Sequence, residues 1–517
     1  MSFQNIVTAE YVRAEFILGY ALGAICVYAA LRCLYLLYVH PLAKFPGPRL
    51  AAVSNVWYAR HWLSGRWPWA IEDVLHKYGD VVRIAPNELV FFTPQALHDI
   101  YSPARRGLEI FRKTDFQNRG ANLGGIIWEE DPVKHHEVAR KLFPAFGLRS
   151  IRGFEPLMHK HIDYFIERMK QLGTQREGVN LVDWTHWVAW DTSQDIAWCE
   201  ETHCMRDGKD PVALDVLMSF NAFATMIQVF KRFPLLSPVK YLFAPVKKLS
   251  SLAEMESNTR KSVLRRIERR GNTPHQDLFE YVLSVDDKPP TTNAELLQLG
   301  SVALQVMLAG FGPVADWYYF TLFLLINTPK CYRILTDEIR NEFANYDDIN
   351  PQSTARLQYL VACLEETLRM VSTNSTGLPR YSPGAVVDGH YIPKGVTVQS
   401  SVHTLGRSPK YFHDPMRFRP ERYLPSSHPL YDKAFANDSI KGLPAFSLGP
   451  RACIGRELGW AEARLFMSKV LWQFDVVRAS GEALDMEGME RDLLHFGFLT
   501  KPRFMVQFVP LKRETSS

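Results

Sequence analysis

The segment Phe446–Arg456, which reads FSLGPRACIGR, stands directly before a long helical pattern near the end of the chain. The N–H groups at the start of a helix can donate toward sulfur and lower a thiol pKa, so the position of Cys453 suits a metal ligand. Gly449 and Gly455 allow the backbone to turn sharply and to approach a flat ligand closely. Arg451 offers a fork of donors to a carboxylate. The segment therefore predicts a thiolate site for a flat metal cofactor.

The cysteines and the charge balance narrow the class of protein. Seven cysteines are scattered along the 517 residues without CxxC pairs, which predicts a reducing compartment and no disulfide framework. Hydrophobic residues form 47% of the chain and charged residues 22%, the balance of a globular protein with a large core. The formal net charge of +5, without a dense Lys/Arg block, predicts no nucleic-acid partner.

The N-terminal part of the chain predicts a membrane anchor at residues 16–39. Phe16–Leu31 carries no charge, and the apolar character resumes after Arg32, which gives roughly 24 residues or about 36 Å of helix. The arginine is expected near one end of the span, where its side chain can reach the headgroups. A cleaved signal peptide is the alternative, but its apolar region is shorter, and no convincing small-residue cleavage site follows.

The charges around this span predict its orientation. The basic residues that follow it are Lys44 and Arg49, and the acidic residues that precede it are Glu10 and Glu15. Because the basic side faces the cytosol, residues 1–15 are expected in a lumen. Residues 40–50 are rich in proline and form a stiff hinge. Residues 51–517 are the predicted catalytic domain.

Helical periodicity dominates the chain beyond the hinge. The predicted helices are Phe154–Leu172, Val212–Phe230, Leu249–Arg269, Asn293–Leu325, Pro329–Ala344 and Ser353–Met370. Val81–Ala85 and Leu89–Phe92 alternate like the strands of a hairpin, with a turn at Pro86-Asn87. After about residue 378 the composition changes to proline, glycine and short β-branched runs. The sequence therefore predicts one large, mainly α domain with a small β-rich part.

The spacing F-x-x-G-x-R-x-C-x-G over residues 446–455 closely resembles the cytochrome P-450 superfamily of haem-thiolate monooxygenases. Glu366–Arg369 (ETLR) and Pro420–Tyr423 (PERY) match two further family motifs in the expected order. The resemblance implies the cytochrome P-450 fold, in which Glu366, Arg369 and Arg422 lock together behind the haem. The N-terminal hinge is similar to that of filamentous-fungal microsomal members of secondary metabolism. This implies a single-pass protein of the endoplasmic reticulum membrane.

The same resemblance implies which residues hold the cofactor. Cys453 is the axial ligand of a haem b iron, and Phe446 shields the sulfur side of the ring from water. The implied haem contacts are Arg451, Arg380, His136, Arg140, Phe446, Gly455 and Gly310. Arg451 and Arg380 are expected to bind the propionates. A β-hairpin within Phe498–Phe508 is expected to contribute to the substrate pocket.

Two alignments compete for the helix that begins near residue 132. His136 and Arg140 share a face at i and i+4 and are the implied propionate contacts in the first alignment. An alignment anchored on Pro144–Phe146 brings His135 and Ala139 to the same family positions instead. A solvated basic helix face is the third interpretation.

The long helix over the haem departs from the family pattern. The family run A/G-G-x-D/E-T-T/S supplies an acid and an alcohol for proton delivery, and here it reads AGFGPV over Ala309–Val314. Gly312 replaces the acid and Pro313 the alcohol. Proline removes a backbone donor and clashes with the preceding turn, so a kink is expected there. Asp316, one turn further on, is either a displaced acid or a structural residue that faces solvent or is capped.

The family positions of the substrate pocket are largely aromatic and apolar, which predicts a lipophilic small-molecule substrate such as a terpenoid or polyketide. These positions are Phe111–Trp128, Phe220, Phe223, Met226, Phe230, Ser372–Leu378 and Phe498-Leu499. A second stretch, Phe233–Phe243, mixes apolar residues with Lys240, and Lys247 and Lys248 follow it. This mixture suits either an anionic membrane interface or ordinary core packing.

Three functions fit these features. The leading prediction is a monooxygenase that hydroxylates, epoxidises or desaturates a hydrophobic metabolite, with electrons from an NADPH-dependent cytochrome P-450 reductase. The replacement of the acid and alcohol by Gly312 and Pro313 favours a second reading, a redox-neutral isomerase or dehydratase on the same scaffold. A haem sensor or carrier without turnover is the third, and no specific feature of the sequence supports it.

Overall fold

A long apolar helix, α1 (Phe3–Leu34), begins the chain and continues as a π-helical turn at Tyr35–Val39. The structure, a computed structural model, describes residues 3–117, 124–245, 249–284 and 286–511. From residue 16 to residue 39 nearly every side chain is exposed, because the helix does not pack on the folded domain. This stretch of 24 residues is long enough to cross a bilayer. The predicted helix is present and fits a membrane anchor, and it begins inside the segment expected to precede it.

The proline-rich hinge is fastened to β1 (Val81–Ala85) through Arg83. The backbone N–H of Arg83 donates to the Pro46 carbonyl at 2.8 Å, and its guanidinium donates to the Leu36 carbonyl at 2.7 Å. A Cβ atom at Gly47 would lie 2.3 Å from the Arg83 carbonyl oxygen, so only glycine fits there. These contacts hold the exit from the anchor helix against the sheet.

Helices form most of the domain. They are α2 (Arg49–Val53), α3 (Val56–Leu63), α4 (Trp67–Tyr78), α5 (Pro94–Tyr101), α6 (Pro132–Leu142), α7 (Leu148–Leu172), α8 (Leu181–Trp198), α9 (Cys204–Asp207), α10 (Val212–Ser219), α11 (Asn221–Phe230), α12 (Leu249–Glu268), α13 (Phe279–Val282), α14 (Asn293–Ile326), α15 (Pro329–Glu342), α16 (Pro351–Thr354), α17 (Gln358–Met370), α18 (Val402–Arg407), α19 (Arg456–Gln473) and α20 (Met486–Asp492). The predicted class, mainly α with a small β-rich part, is confirmed.

The strands are short. After β1 they are β2 (Glu88–Phe91), β3 (Ala104–Arg105), β4 (Leu108–Glu109), β5 (Arg112–Lys113), β6 (Val179–Asn180), β7 (Arg380–Tyr381), β8 (Ala385–Val387), β9 (His390–Ile392), β10 (Thr397–Ser400), β11 (Phe474–Arg478), β12 (Leu494–His495), β13 (Leu499–Thr500) and β14 (Met505–Pro510). The largest sheet has the order β1-β2-β10-β7-β5, and β10 runs parallel to β2. A second sheet has the order β11-β14-β6, and the pairs β3-β4, β8-β9 and β12-β13 complete the described sheets.

Some predicted elements are divided or paired differently. The predicted helix Val212–Phe230 breaks at Phe220 into α10 and α11, which are bent by 46°. Directly after the break, the Asn221 side chain accepts hydrogen bonds from the backbone of the turn between β12 and β13. The hairpin expected within Phe498–Phe508 is wrong, since β14 pairs with β11 and β6. The hairpin at β1 and β2 is confirmed.

The centre of the core is α14, a helix of 34 residues that lies against α8, α17 and α19. Its N-terminus has a capping box in which Thr292 and Glu295 each bond the backbone of the other. The helix continues without interruption through Pro313, so the kink expected there does not end it. The sequence analysis did not predict α8, because this helix is buried on every face and so has no amphipathic pattern. Its buried residues include the tryptophans at positions 184, 187, 190 and 198.

Glu462 on α19 is a buried acid, and among the described residues none donates a hydrogen bond to its carboxyl group. Burial raises the pKa of Glu462 to about 8. The ordinary pKa is 4.5, so between pH 4.5 and about pH 8 the folded protein keeps a proton that the unfolded chain has already released. The free energy of unfolding should therefore fall with rising pH in this window, by up to about 1.4 kcal/mol per pH unit.

Glu462→Gln is expected to remove this pH dependence, so that the variant melts at a higher temperature than the wild type at about pH 8 and at a similar one near pH 5. Melting temperatures of the full-length protein across this range measure the effect. Glu457→Gln, at an exposed acid on the same helix, is the matched control and should keep the wild-type slope. Parallel curves for wild type and Glu462→Gln contradict the prediction.

Candidate active site

The loop ahead of α19 folds tightly around Cys453. The backbone N–H of Cys453 donates to the Phe446 carbonyl at 2.9 Å, which closes the loop. Gly449 has a φ of +67°, and a Cβ atom there would lie 2.2 Å from the Tyr101 carbonyl oxygen, so this position requires glycine. Gly455 is the N-cap of α19. The sharp turn expected at Gly449 is present.

The exposure of Cys453 and of two residues on α14 indicates a cleft between this loop and the helix. Cys453 is exposed although it belongs to an interior loop. Ala309 and Pro313 are likewise exposed in the middle of α14, where most neighbouring residues are buried. Trp317 on α14 meets the ring of Phe446 at 6.0 Å, so helix and loop touch at one end of the cleft. Phe446 thereby links the loop to α14.

The environment of the thiol differs from the expectation in one respect. Burial among protein atoms raises the pKa of Cys453, and this effect exceeds the lowering by the Gly455 N–H group and by Arg456. The expected lowering of the thiol pKa is therefore wrong for the protein alone. A metal cation bound at sulfur takes the place of the proton, so this resting pKa does not prevent coordination.

Arg380 and Arg451, both predicted to bind the cofactor, lie beside the Cys453 loop. Arg380 is 4% exposed, and its only hydrogen bond to a described residue runs to the Pro379 carbonyl at 3.4 Å. Burial and, less strongly, the charge of Arg451 lower the pKa of Arg380 to about 10. Arg451 is better satisfied, since it donates to a Glu109 carboxylate oxygen and to the Glu129 carbonyl, each at 2.8 Å. Arg380 thus keeps most of its donors for an anion.

Two more basic residues join this cluster. Lys113, on β5, pairs with Arg380 on the neighbouring strand β7, and its ammonium contacts the Ile127 carbonyl. Burial, followed by repulsion from Arg380 and Arg451, holds the pKa of Lys113 well below its ordinary value. Burial and the same cations lower the pKa of His135 to about 3. The sequence analysis included Lys113 only as part of the Phe111–Trp128 pocket region. Its place in the basic cluster could not be predicted, because its pairing partner Arg380 is distant in the chain.

The structure decides between the two alignments of α6. His136 and Arg140 are exposed, whereas His135 and Ala139 are buried. A shift of one residue turns a side chain by about 100° around a helix, which moves it from one face to another. The alignment anchored on Pro144–Phe146 fits better, because the charges of Arg451, Lys113 and Arg380 act on the buried His135.

Gly310 and Gly455 have different surroundings. A Cβ atom at Gly310 would lie 2.8 Å from the Ser193 hydroxyl, so this glycine allows α14 to approach α8 and does not face the cleft. At Gly455 a Cβ atom would meet only the Phe146 ring, at 3.6 Å. Gly455 therefore contributes through its backbone N–H, which lies at the sulfur of Cys453.

The predicted scaffold behind the loop is present. Glu366 accepts from the Arg369 guanidinium at 2.7 and 2.8 Å, and Arg422 Nε lies 3.0 Å from the same carboxylate as an ion pair rather than an aligned hydrogen bond. All three side chains are fully buried. The backbone N–H of Arg419 also donates to Glu366 at 2.8 Å. One carboxylate thus joins α17 to the chain segment that leads to the Cys453 loop.

The aromatic residues expected at the pocket occupy two neighbouring elements. Phe220 and Phe223 are half-buried, with ring centroids 6.1 Å apart. Phe498, in the turn between β12 and β13, meets Phe311 of α14 at 6.4 Å. Asn221 ties this turn to α11 by accepting from the Phe498 N–H at 2.9 Å. Residues 118–123 of the expected Phe111–Trp128 lining lie outside the described residues.

Comparisons with known proteins agree with this geometry. The cytochrome P450 family model matches residues 46–504. Cytochrome P450 monooxygenase TwmD of Talaromyces wortmannii is 45% identical over 511 residues, 99% of each chain. Cytochrome P450 monooxygenase BOA3 of Botryotinia fuckeliana is 33% identical over 89% of this chain and 90% of its own. The haem domain of cytochrome P450DA superposes with a TM-score of 0.71 at 17% identity, over 90% of this chain and 98% of that one. The chain therefore belongs to the cytochrome P450 family of haem-thiolate monooxygenases.

Proposed function

We propose that this chain uses haem b to hydroxylate, epoxidise or desaturate a lipophilic metabolite, such as a terpenoid or a polyketide of fungal secondary metabolism. The observation that carries the proposal is the thiol of Cys453, which opens on an internal cleft beneath α14. The fungal relatives that match nearly the whole chain are named monooxygenases, which supports the reaction class.

The residues around the cleft fit a haem. Cys453 would hold the iron through its thiolate, and Phe446 would keep water from the sulfur. Arg380 is a buried cation with nearly all its donors unpaired among the described residues, and Lys113 and His135 add basic groups beside it. Such a cluster suits the two propionates, since carboxylates relieve the repulsion that lowers these pKa values. When bound, the haem activates dioxygen, and the thiolate donates electron density that favours O–O cleavage.

The substrate class follows from the side chains near α14. Phe220, Phe223, Phe311 and Phe498 supply aromatic rings, and Met226, half-buried on α11, follows Phe223 by three residues. An apolar, aromatic lining binds lipophilic molecules and excludes charged ones. The proposed substrate is therefore a hydrophobic small molecule with few ionised groups.

The proposal includes a place in the endoplasmic reticulum membrane, with a single span and the catalytic domain in the cytosol. The exposed anchor helix supports it. So does a short helical turn at Pro234–Phe243, where Leu235 is 96% and Leu242 is 82% exposed beside Lys240. Exposed large apolar side chains next to a basic one suit an anionic membrane surface. Lys247 and Lys248 lie outside the described residues.

The proposed electron donor is an NADPH-dependent cytochrome P450 reductase. His136 and Arg140, which do not reach the basic cluster, are exposed on α6 together with Lys134 and Lys141. Arg456, at the start of α19, is also exposed near the Cys453 loop. An exposed basic face of this kind attracts and orients an acidic partner protein.

A redox-neutral isomerase or dehydratase is the second candidate, and Gly312 and Pro313 favour it because they lack the acid and the alcohol. The test incubates membrane-anchored enzyme with a panel of fungal terpenoids and polyketides, omitting reductase, NADPH or dioxygen in turn. The expected result is product only when all three are present, with one oxygen atom of hydroxylated products derived from labelled dioxygen. Turnover without electrons overturns the monooxygenase proposal and supports the second candidate.

A further inference from the structure

One stripe of α14 borders the cleft and ends in a charged residue. Ala309 and Pro313 are exposed to the cleft at i and i+4. Asp316 follows at i+7, which brings it onto the same side of a helix with 3.6 residues per turn. Unlike the other two, Asp316 is buried, because the chain after β13 covers this end of the stripe. The stripe therefore runs from the cleft to a buried carboxylate.

The position of the family acid is blocked by an aromatic ring. A Cβ atom at Gly312 would lie 2.9 Å from the ring of Phe498, so no side chain fits there without moving it. The ring itself is well fixed. Asn221 accepts from the N–H groups of Gly497 and Phe498 at 2.8 and 2.9 Å and donates to the Phe498 carbonyl at 2.9 Å. The packing of Phe498 thus requires glycine at position 312, and an acid that delivers protons has to occupy another position.

Pro313 changes the backbone of the same stripe. Because proline has no N–H, the helical hydrogen bond from position 313 to the Ala309 carbonyl cannot form. The Ala309 carbonyl oxygen therefore lies beside the cleft without its usual helical donor, and water can bond to it. Ala309 and Asp316 stand about two turns apart on one side of the helix.

Asp316 is held by a lysine that the sequence did not single out. Lys501 donates to the Asp316 carboxylate, and the lysine side chain is 1% exposed. The ammonium group also lies 5.5 Å from the Tyr319 ring centroid. His186 on α8 is near enough that Lys501, after burial, lowers its pKa. The pair is thus an enclosed acid and base one turn beyond Pro313, and neither group faces bulk water.

We propose that Asp316, held in place by Lys501, relays protons into the cleft in place of the missing acid and alcohol. This inference rests on the proposed monooxygenase function. The carboxylate takes a proton from the Lys501 ammonium and passes it along a chain of water molecules, about two helical turns long, to the water at the Ala309 carbonyl. That water gives a proton to the dioxygen being reduced in the cleft, and a lysine amine and a carboxylate remain. A proton from the solvent then returns to the amine along internal water molecules, so that each cycle moves one proton from solvent into the cleft. Lys501 thus both positions Asp316 and supplies its proton, and Asp316 acts through water.

The test uses the full-length enzyme with reductase in membranes and a compound that the wild type converts. Asp316→Asn is expected to lower the product formed per NADPH by about 10²-fold, with the lost electrons recovered as hydrogen peroxide. A second readout needs no turnover: the infrared C–O stretch of the carbon monoxide complex reports the electric field in the cleft. This stretch should shift in Asp316→Asn, and Asp316→Glu should restore much of the coupling.

Asp277→Asn is the matched control, because Asp277 forms an equally buried ion pair with Arg266 away from the cleft. It should lower the melting temperature and leave both the peroxide share and the stretch unchanged. The double variant Asp316→Asn/Lys501→Met avoids an unpaired buried charge and should uncouple like Asp316→Asn if the single variant fails to fold. Normal coupling with an unshifted stretch in either variant overturns the relay. Wild-type turnover without NADPH instead overturns the proposed function, while the stretch still shows whether Asp316 acts on the cleft.

Discussion

Cys453→His is expected to abolish the absorption band that the reduced carbon monoxide complex of a thiolate-ligated haem shows. It should also lower monooxygenase turnover by at least about 100-fold, since changes to the residues around a metal ligand already cost about 10–100-fold. The physical reason is the charge of the ligand. A thiolate pushes electron density toward iron, and a neutral imidazole does not. The sulfur also stands where the Gly455 N–H can stabilise its negative charge. The spectrum of the reduced carbon monoxide complex measures the change directly.

Cys363→Ala is the control for this experiment. Cys363 lies fully buried on α17, and burial holds its pKa well above the ordinary value, so it is a packing residue. The control should keep the thiolate-type band and lose only stability from the small cavity. A wild-type spectrum of the imidazole-ligated type, or a Cys453→His variant with the wild-type band, contradicts the assignment of the ligand.

The parts of the site that could be predicted are those in which a short segment carries its own geometry. The Cys453 loop needs a positive φ at Gly449 and a helix start at Gly455, and both appear within a few residues of the cysteine. Glu366 and Arg369 are one helical turn apart, so their pairing is local as well. Such features depend on neighbours in the chain, and the sequence shows these neighbours directly.

Other parts depend on contacts between distant segments. Lys113 meets Arg380 only because β5 and β7 pair in the sheet. Asp316 finds Lys501, almost two hundred residues away, only when the chain after β13 returns to α14. The prediction of His136 failed for another reason. An error of one residue in the alignment of α6 replaces the buried His135 by the exposed His136.

Phe498 and Gly312 connect the departure from the family pattern to packing. Without the structure, glycine at the acid position indicates lost chemistry and favours a redox-neutral enzyme. With it, the ring of Phe498 accounts for the glycine on steric grounds, and a buried acid remains on the same helix. The substitution at position 312 is therefore no longer an argument against oxygen activation by itself.

Glu366→Gln is expected to destabilise the folded protein by about 3–5 kcal/mol, because it removes the anion shared by two fully buried arginines. A typical domain has an unfolding free energy of about 5–15 kcal/mol, so the loss is a large part of the total. Arg369 and Arg422 then repel each other in a medium of low polarity. The chain between α17 and the Cys453 loop should loosen, and the loop should lose its hold on haem.

Haem content per protein and the melting temperature of full-length Glu366→Gln measure this effect. Asp80→Asn is the matched control, because Asp80 pairs with Lys410 at 2.7 Å on the surface, where both side chains are about half exposed. An exposed pair contributes about 1 kcal/mol or less, so the control should retain wild-type haem content and nearly the wild-type melting temperature. Equal haem content in the two variants would mean that the buried triad does not support the Cys453 loop. The expected contrast arises because water screens the surface charges, whereas the arginines beside Glu366 have no solvent to replace the carboxylate.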